Sequence, residues 1–142
     1  MQGLLTPVIG LLAGYVAYQQ WLTNKDKVKL DKFDRRFAIY DAARELRRAI
    51  RQHARATEDE IFDFRMKTRD AVFLLDDDLG RYLEEFGDKA WQILMMEGEI
   101  EHEHDQHKLA KLIDDQRALK VWITDQADPL RDKFRKYLSV RN

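Results

Sequence analysis

Residues 1–24, MQGLLTPVIGLLAGYVAYQQWLTN, carry no charged side chain, and residues 25–36, KDKVKLDKFDRR, carry nine. An apolar helix that closes on an aromatic rim and a basic collar is the arrangement by which a chain enters a bilayer once and stops. Leu4 to Leu22 would extend about 28 Å as a helix, near the hydrocarbon thickness of a membrane. Tyr15, Tyr18 and Trp21 stand toward its C-terminal end with Gln19 and Gln20, where amphipathic side chains favour the headgroup level. The stretch predicts an all-α fold, with a single N-terminal transmembrane helix (residues 1–24) followed by an antiparallel helical bundle (residues 25–142). A cleaved signal peptide is the competing reading, but no Lys or Arg precedes the apolar run and no clear cleavage site follows it.

Orientation follows from charge asymmetry. Only Met1 and Gln2 precede the apolar core of the leader, whereas Lys25, Lys27, Lys29, Lys32, Arg35 and Arg36 follow it. The positive-inside rule then puts the bundle in the cytoplasm and the N-terminus outside, a single-pass protein of the inner membrane. Those six cations are the candidate contacts to lipid headgroups, at about 1 kcal/mol each where they reach the surface. Inside the leader, Gly10 and Gly14 form a GxxxG, with Ala13 and Ala17 beside them, the spacing that lets two membrane helices approach closely.

The rest of the chain is short of backbone punctuation. Neither Gly nor Pro occurs between Tyr15 and Leu79. About 118 residues beyond the leader suffice for one small domain. A 44% hydrophobic and 36% charged composition suits amphipathic helices better than disorder. Cysteine is absent and Ser139 is the lone serine, which removes thiol chemistry, disulfides and nearly every serine-nucleophile scheme. The net charge of −1 conceals segregation. Residues 25–57 hold eleven Lys/Arg against five Asp/Glu, and residues 76–105 hold two against eleven.

Periodicity supplies the helices. The first runs from Lys25 to about Arg55, continuous with the leader, with Leu30, Phe33, Phe37, Tyr40, Ala43 and Ile50 as its apolar stripe. Thr57-Glu58-Asp59-Glu60 reads as a capping box opening a helix that ends near Leu75. Asp76-Asp77-Asp78 supplies the next N-cap, for a helix that stops near Gly98. A longer helix covers about Glu103 to Gln126, with Leu109, Leu112, Gln116, Leu119 and Ile123 as its seam. Asp128-Pro129 starts a short last helix through Leu130, Phe134 and Leu138.

The stretch AYQQWLTNKDKVKLDKFDRRFAIYDAAREL resembles the N-terminus of an uncharacterised family of small bacterial proteins. Its members join one membrane helix to a KLKLDLFDKRFxIY-like helix and a helical domain. FLLDDDLGRYLEEF and DPLRDKFRKYL extend the likeness more loosely. Val28 and Lys32 stand where the pattern has Leu, and Asp76 where it has Gly. The resemblance implies anchor, helical fold and bacterial origin, and no activity.

Two clusters are candidates for chemistry or binding. GEIEHEHDQH holds His102, His104 and His107 among Glu99, Glu101, Glu103 and Asp105. Glu99/His102 and Glu101/His104 have the Glu-x-x-His spacing of carboxylate-bridged metal sites. The two pairs overlap on one segment, so a di-iron bundle is excluded and only a looser divalent site on His102, His104 and His107 is left, against a solvated helix start that is acidic because the dipole favours it. Arg44, Arg47, Arg48, Arg51 and Arg55 form a cationic row expected to face the acidic segment 76–105, within the chain or between protomers. Trp91, Trp122, Phe62, Phe64, Phe73 and Phe86 fill a bundle core or line a pocket, and Met95 and Met96 complete that core or form a docking patch.

The expected function is a non-enzymatic, membrane-anchored helical module that oligomerises or recruits a protein partner at the cytoplasmic membrane face, without cofactor, nucleic acid or small-molecule substrate. A membrane-perturbing effector of a phage-conflict or toxin system and a metal-dependent helical enzyme built on the His/Glu-rich segment are the alternatives.

Overall fold

The computed structural model describes residues 2–139, with side chains from residue 8 onward. Among the described residues every regular element is a helix. α1 is Gln2–His53, α2 Glu58–Thr68, α3 Ala71–Leu74, α4 Asp77–His102, α5 Gln106–Thr124 and α6 Ala127–Leu138. The chain divides into two compact units, Met1–Asp34 and Arg35–Asn142.

The first unit corrects the opening expectation. Among the described residues no helix is long and apolar enough to cross a membrane. Gly10, Gly14, Tyr15, Tyr18, Gln19 and Gln20 dilute the apolar run from within, and charged residues from Lys25 onward close it. The transmembrane helix, the single-pass topology and the inner-membrane localisation are overturned together, while the helical conformation of the stretch stands. Local contacts organise the end of the run. Tyr18 stacks on Trp21 at 6.4 Å, Lys25 Nζ lies 5.3 Å from the Trp21 ring, and the Thr23 hydroxyl donates to Gln19 O.

In the second unit α4 is the organising element and packs on α2, α3 and α5. Its start is capped by Asp76, which accepts from Leu79 N at 2.7 Å. Leu79, Leu83, Phe86, Ala90 and Ile93 recur at helical spacing and are buried. From α1 they meet Ile39, Ala43, Leu46 and Ile50, from α2 Ile61 and Phe64, from α5 Ile123, and from α6 Leu130 and Phe134. Phe86 is fully buried, with Phe64 at 5.7 Å, Trp122 at 6.0 Å and Tyr82 at 6.3 Å between ring centroids. Gly80 and Gly87, two turns apart on one face, allow a close approach. A Cβ on Gly87 would stand 3.2 Å from Phe64 Cε1, and one on Gly80 3.4 Å from Val72 Cβ.

Several element boundaries differ from the expected ones. The α1 stripe in the core is Ile39, Ala42, Ala43, Leu46, Ala49 and Ile50, whereas Leu30 is exposed and Phe37 is 41% exposed. The capping box forms as expected. Glu60 N donates to Thr57 Oγ1 at 3.2 Å, and Thr57 N donates to Glu60 Oε1 at 3.1 Å. α2 stops at Thr68, and the single turn of α3 follows. Gly98 does not stop α4, which continues to His102, because a lone Gly costs a helix only about 1 kcal/mol. Asp105 then caps α5 by accepting from His107 N. α1 ends through Ala54, whose φ of 66° is left-handed.

Candidate interaction surface

Two buried glutamines tie the second unit together. Gln116 Nε2 donates to Ile93 O at 3.0 Å and to Glu97 Oε2 at 2.8 Å, joining α5 to α4. Gln126 accepts from the Tyr82 hydroxyl at 2.6 Å and donates to Trp122 O at 3.0 Å. Among the described residues no buried side-chain polar atom lacks a partner. Burial, and after it the Glu85 carboxylate, pushes the Tyr82 phenol well above its ordinary value.

A polar node closes the start of α4. The Tyr137 hydroxyl donates to Asp76, Lys136 Nζ lies 3.5 Å from Asp76 Oδ2, and Arg36 stacks over the Tyr137 ring at 5.2 Å. Arg36 Nε also donates to Leu74 O at 3.0 Å. The Tyr137 hydroxyl and then the Leu79 amide hold the Asp76 carboxyl below the usual carboxylate range, and the same hydrogen bond raises the Tyr137 phenol.

The sequence-derived candidates are placed as follows. Gly10 and Gly14 lie on α1, and a Cβ on either would meet nothing within 4 Å. Lys25, Lys27, Lys29, Lys32 and Arg35 are exposed along the same helix, which among the described residues is not apolar enough to cross a membrane. Arg36 is half-buried in the node just described. In the arginine row, Arg44 pairs with Asp41 at 3.9 Å and stacks on Tyr40. Arg47 Nε donates to Thr124 O at 2.9 Å, at the end of α5. Arg48, Arg51 and Arg55 are exposed. In the acidic segment, Asp88 pairs with Arg65 and Asp76 with Lys136. His102 ends α4, His104 lies in the connection and His107 opens α5, all exposed. Among the described residues no three His, Asp or Glu side chains converge into a group able to hold a metal.

The aromatic residues divide. Phe64 and Phe86 are core, and Trp122 packs against it beneath Lys89. Phe62 (65%), Phe73 (85%) and Trp91 are exposed. Phe62 and Trp91 line a hollow of about 470 Å³ between the first turns of α2 and the middle of α4, with Glu58, Asp59, Ile61 and Arg65. Met95, one turn beyond Trp91, and Met66, one turn beyond Phe62, are also exposed. A larger groove of about 650 Å³ lies on the other side of Arg65, lined by Thr68, Arg69, Val72, Asp77, Gly80 and Arg81 among others. Sequence reasoning picked out these aromatics by type but not by exposure. The missed signal is periodicity: Phe62 is one residue off the Ile61/Phe64 face, and Trp91 one residue off the Phe86/Ala90/Ile93 face.

In the first unit the exposed apolar surface is larger still. Val8, Ile9, Leu11, Leu12, Tyr15, Val16, Tyr18 and Trp21 are all exposed, Leu11 to 76%. Ile9, Leu12, Ala13, Val16, Ala17 and Gln20 border a shallow hollow along the helix.

No family model, no curated protein and no solved structure matches this chain.

Proposed function

We propose that this chain is a non-enzymatic helical interaction module that assembles with further copies of itself through residues 8–22 of α1. The observation that carries this is the uncharged stretch of α1 in which Val8, Ile9, Leu11, Leu12, Tyr15, Val16, Tyr18 and Trp21 are exposed and Leu22 is half-buried within a single chain. An uncharged helix with so much large apolar surface exposed is covered by something in its working state.

Its pattern favours like helices. Val8, Leu11, Tyr15, Tyr18 and Leu22 alternate steps of three and four, the spacing of a coiled-coil seam. Gly10, Ala13, Gly14 and Ala17 form a second, small-residue stripe on which a neighbouring backbone can approach closely. Burying one such seam yields on the order of 10 kcal/mol at about 1.5–3 kcal/mol per large side chain. Association costs about 4–15 kcal/mol, so one seam is marginal and covering a second face tips the balance. Assemblies larger than a dimer are the expected product.

Sedimentation of the full chain beside Leu11→Glu and Gly10→Leu/Gly14→Leu tests this. The unsubstituted chain is expected to gain mass with concentration. Leu11→Glu, which puts a charge into the seam, should sediment as a monomer. A chain that stays monomeric into the hundred-micromolar range refutes the proposal.

A further inference from the structure

The hollow between α2 and α4 brings exposed aromatic and exposed acidic side chains together on one lining. At five places on the helical surface an aspartate (Asp41, Asp78, Asp114, Asp128 and Asp132) pairs with the arginine three residues on, at 3.0–3.9 Å. Glu58 and Asp59, on the first turn of α2, line the hollow, and Glu99 stands on α4 one turn beyond Met95. All three are exposed and make no ion pair among the described residues. The cation on the lining, Arg65, is held by Asp88 at 3.1 Å. The rim is thus negative, and its floor is apolar: Phe62 and Trp91 face the hollow, and Met95 extends it by a turn.

The floor also has direction. Trp91, Met95, Gly98 and His102 follow one another at steps of four, three and four along one exposed face of α4. That track is about 16 Å long at 1.5 Å per residue, the length of three turns of a partner helix. Nothing lies within 4 Å of a Cβ on Gly98, so the far end of the track is open. Methionine next to tryptophan gives a deformable, polarisable seat for an aliphatic or aromatic anchor.

We infer that this hollow is a docking groove for a basic amphipathic helix of a partner protein, seated by an apolar stripe on Phe62, Trp91 and Met95 and oriented by Lys or Arg against Glu58, Asp59 and Glu99. An apolar floor with an uncompensated acidic rim is complementary to that ligand in both shape and charge, and repels an acidic helix or a nucleic-acid backbone. The groove is independent of the self-assembly proposed for α1.

The test is a titration of the full-length protein with three labelled synthetic helices, followed by fluorescence anisotropy. The first has a Leu/Phe stripe flanked by lysines, the second replaces the lysines by glutamate, and the third keeps the lysines without the stripe. Only the first should bind well, and raising salt from 50 to 500 mM should weaken it several-fold. Trp91→Ala and Glu58→Lys/Asp59→Lys are each expected to weaken it at least tenfold. Val121→Ala, an exposed change on α5, should leave it unaltered. Circular dichroism checks that each variant is folded, as expected for exposed positions. Absence of binding by the first peptide, equal binding of all three, or insensitivity to both groove variants overturns the inference. So does a Trp91→Ala variant whose sedimentation changes, since a second copy would then be the occupant. Repeating the titration on Leu11→Glu separates failure of the groove from failure of self-assembly.

Discussion

The stretch from Val8 to Leu30 and the body from Ile39 to Phe134 draw on the same apolar side chains and use them in opposite ways. In the first, Leu11, Leu12, Val16, Trp21, Val28 and Leu30 are all exposed. In the second, Ile39, Ile61, Leu83, Phe86, Ile93, Ile123, Leu130 and Phe134 are almost wholly removed from solvent. Hydrophobicity alone therefore does not say whether a helix is finished. In the body most large apolar residues keep to one face of each helix, where other helices of the same chain meet them, and Phe62, Phe73 and Trp91 are exceptions. Between Val8 and Leu22 the large apolar residues spread over about two thirds of the circumference, with Gly10, Ala13 and Ala17 in the remaining arc, and a single helix cannot cover such a surface by itself.

The largest effect should come from the body. Phe86→Ala removes a ring that touches three other aromatics and leaves a cavity, at an expected cost of about 3–5 kcal/mol. Urea denaturation should show that loss at every protein concentration. Leu11→Ala, by contrast, should change stability through concentration alone, because its energy is realised between chains. A concentration-independent loss for Leu11→Ala of the same size would erase the distinction between the two regions.

Next in size is the polar part of the same core. Gln126→Leu fills a similar volume but strands the Tyr82 hydroxyl, for which a loss of about 1–3 kcal/mol is expected in the same assay. Tyr82→Phe in the same chain should restore part of it, since removing both partners is milder than orphaning one.

The smallest expected effect is at the start of α4. Asp76→Ala removes the N-cap, worth about 1 kcal/mol. The folded carboxyl is held below its ordinary value, so its contribution is fully present above about pH 4, the unfolded carboxylate range. It is lost as pH falls through the lower, folded value. Asp76→Asn, which can still cap, should flatten the acid limb of a melting-temperature profile between pH 2 and 5 while changing the neutral value less. An unchanged acid limb would show that the node carries no charge-dependent stability.

The sequence made most helices of the body legible because their ends are written in side chains: Thr57 with Glu60, and Asp76 with Leu79 N, form as the capping rules require. The Leu79-to-Ile93 face was legible from its spacing. What failed was judgement by composition. Residues 4–22 have the length of a membrane span, but their glycines, tyrosines and glutamines leave the helix short of the apolarity a bilayer demands. Gly98 failed as a stop because a glycine ends a helix only where the next residues also leave it. Gly80 and Gly87 gave no signal, since their role depends on Phe64 and Val72 arriving from distant positions. The hollow at Phe62 and Trp91 was hidden for the same reason: one residue of phase separates a core aromatic from a surface one.

The burial of the Tyr82 phenol, beside the Glu85 carboxylate, has an optical consequence. A phenol raised by burial ionises at higher pH in the closed chain than in molecules that have opened, and phenolate absorbs at longer wavelength than phenol. The difference in ultraviolet absorbance between the unsubstituted chain, which has five tyrosines, and Tyr82→Phe therefore gauges alkaline opening around this ring without an attached label.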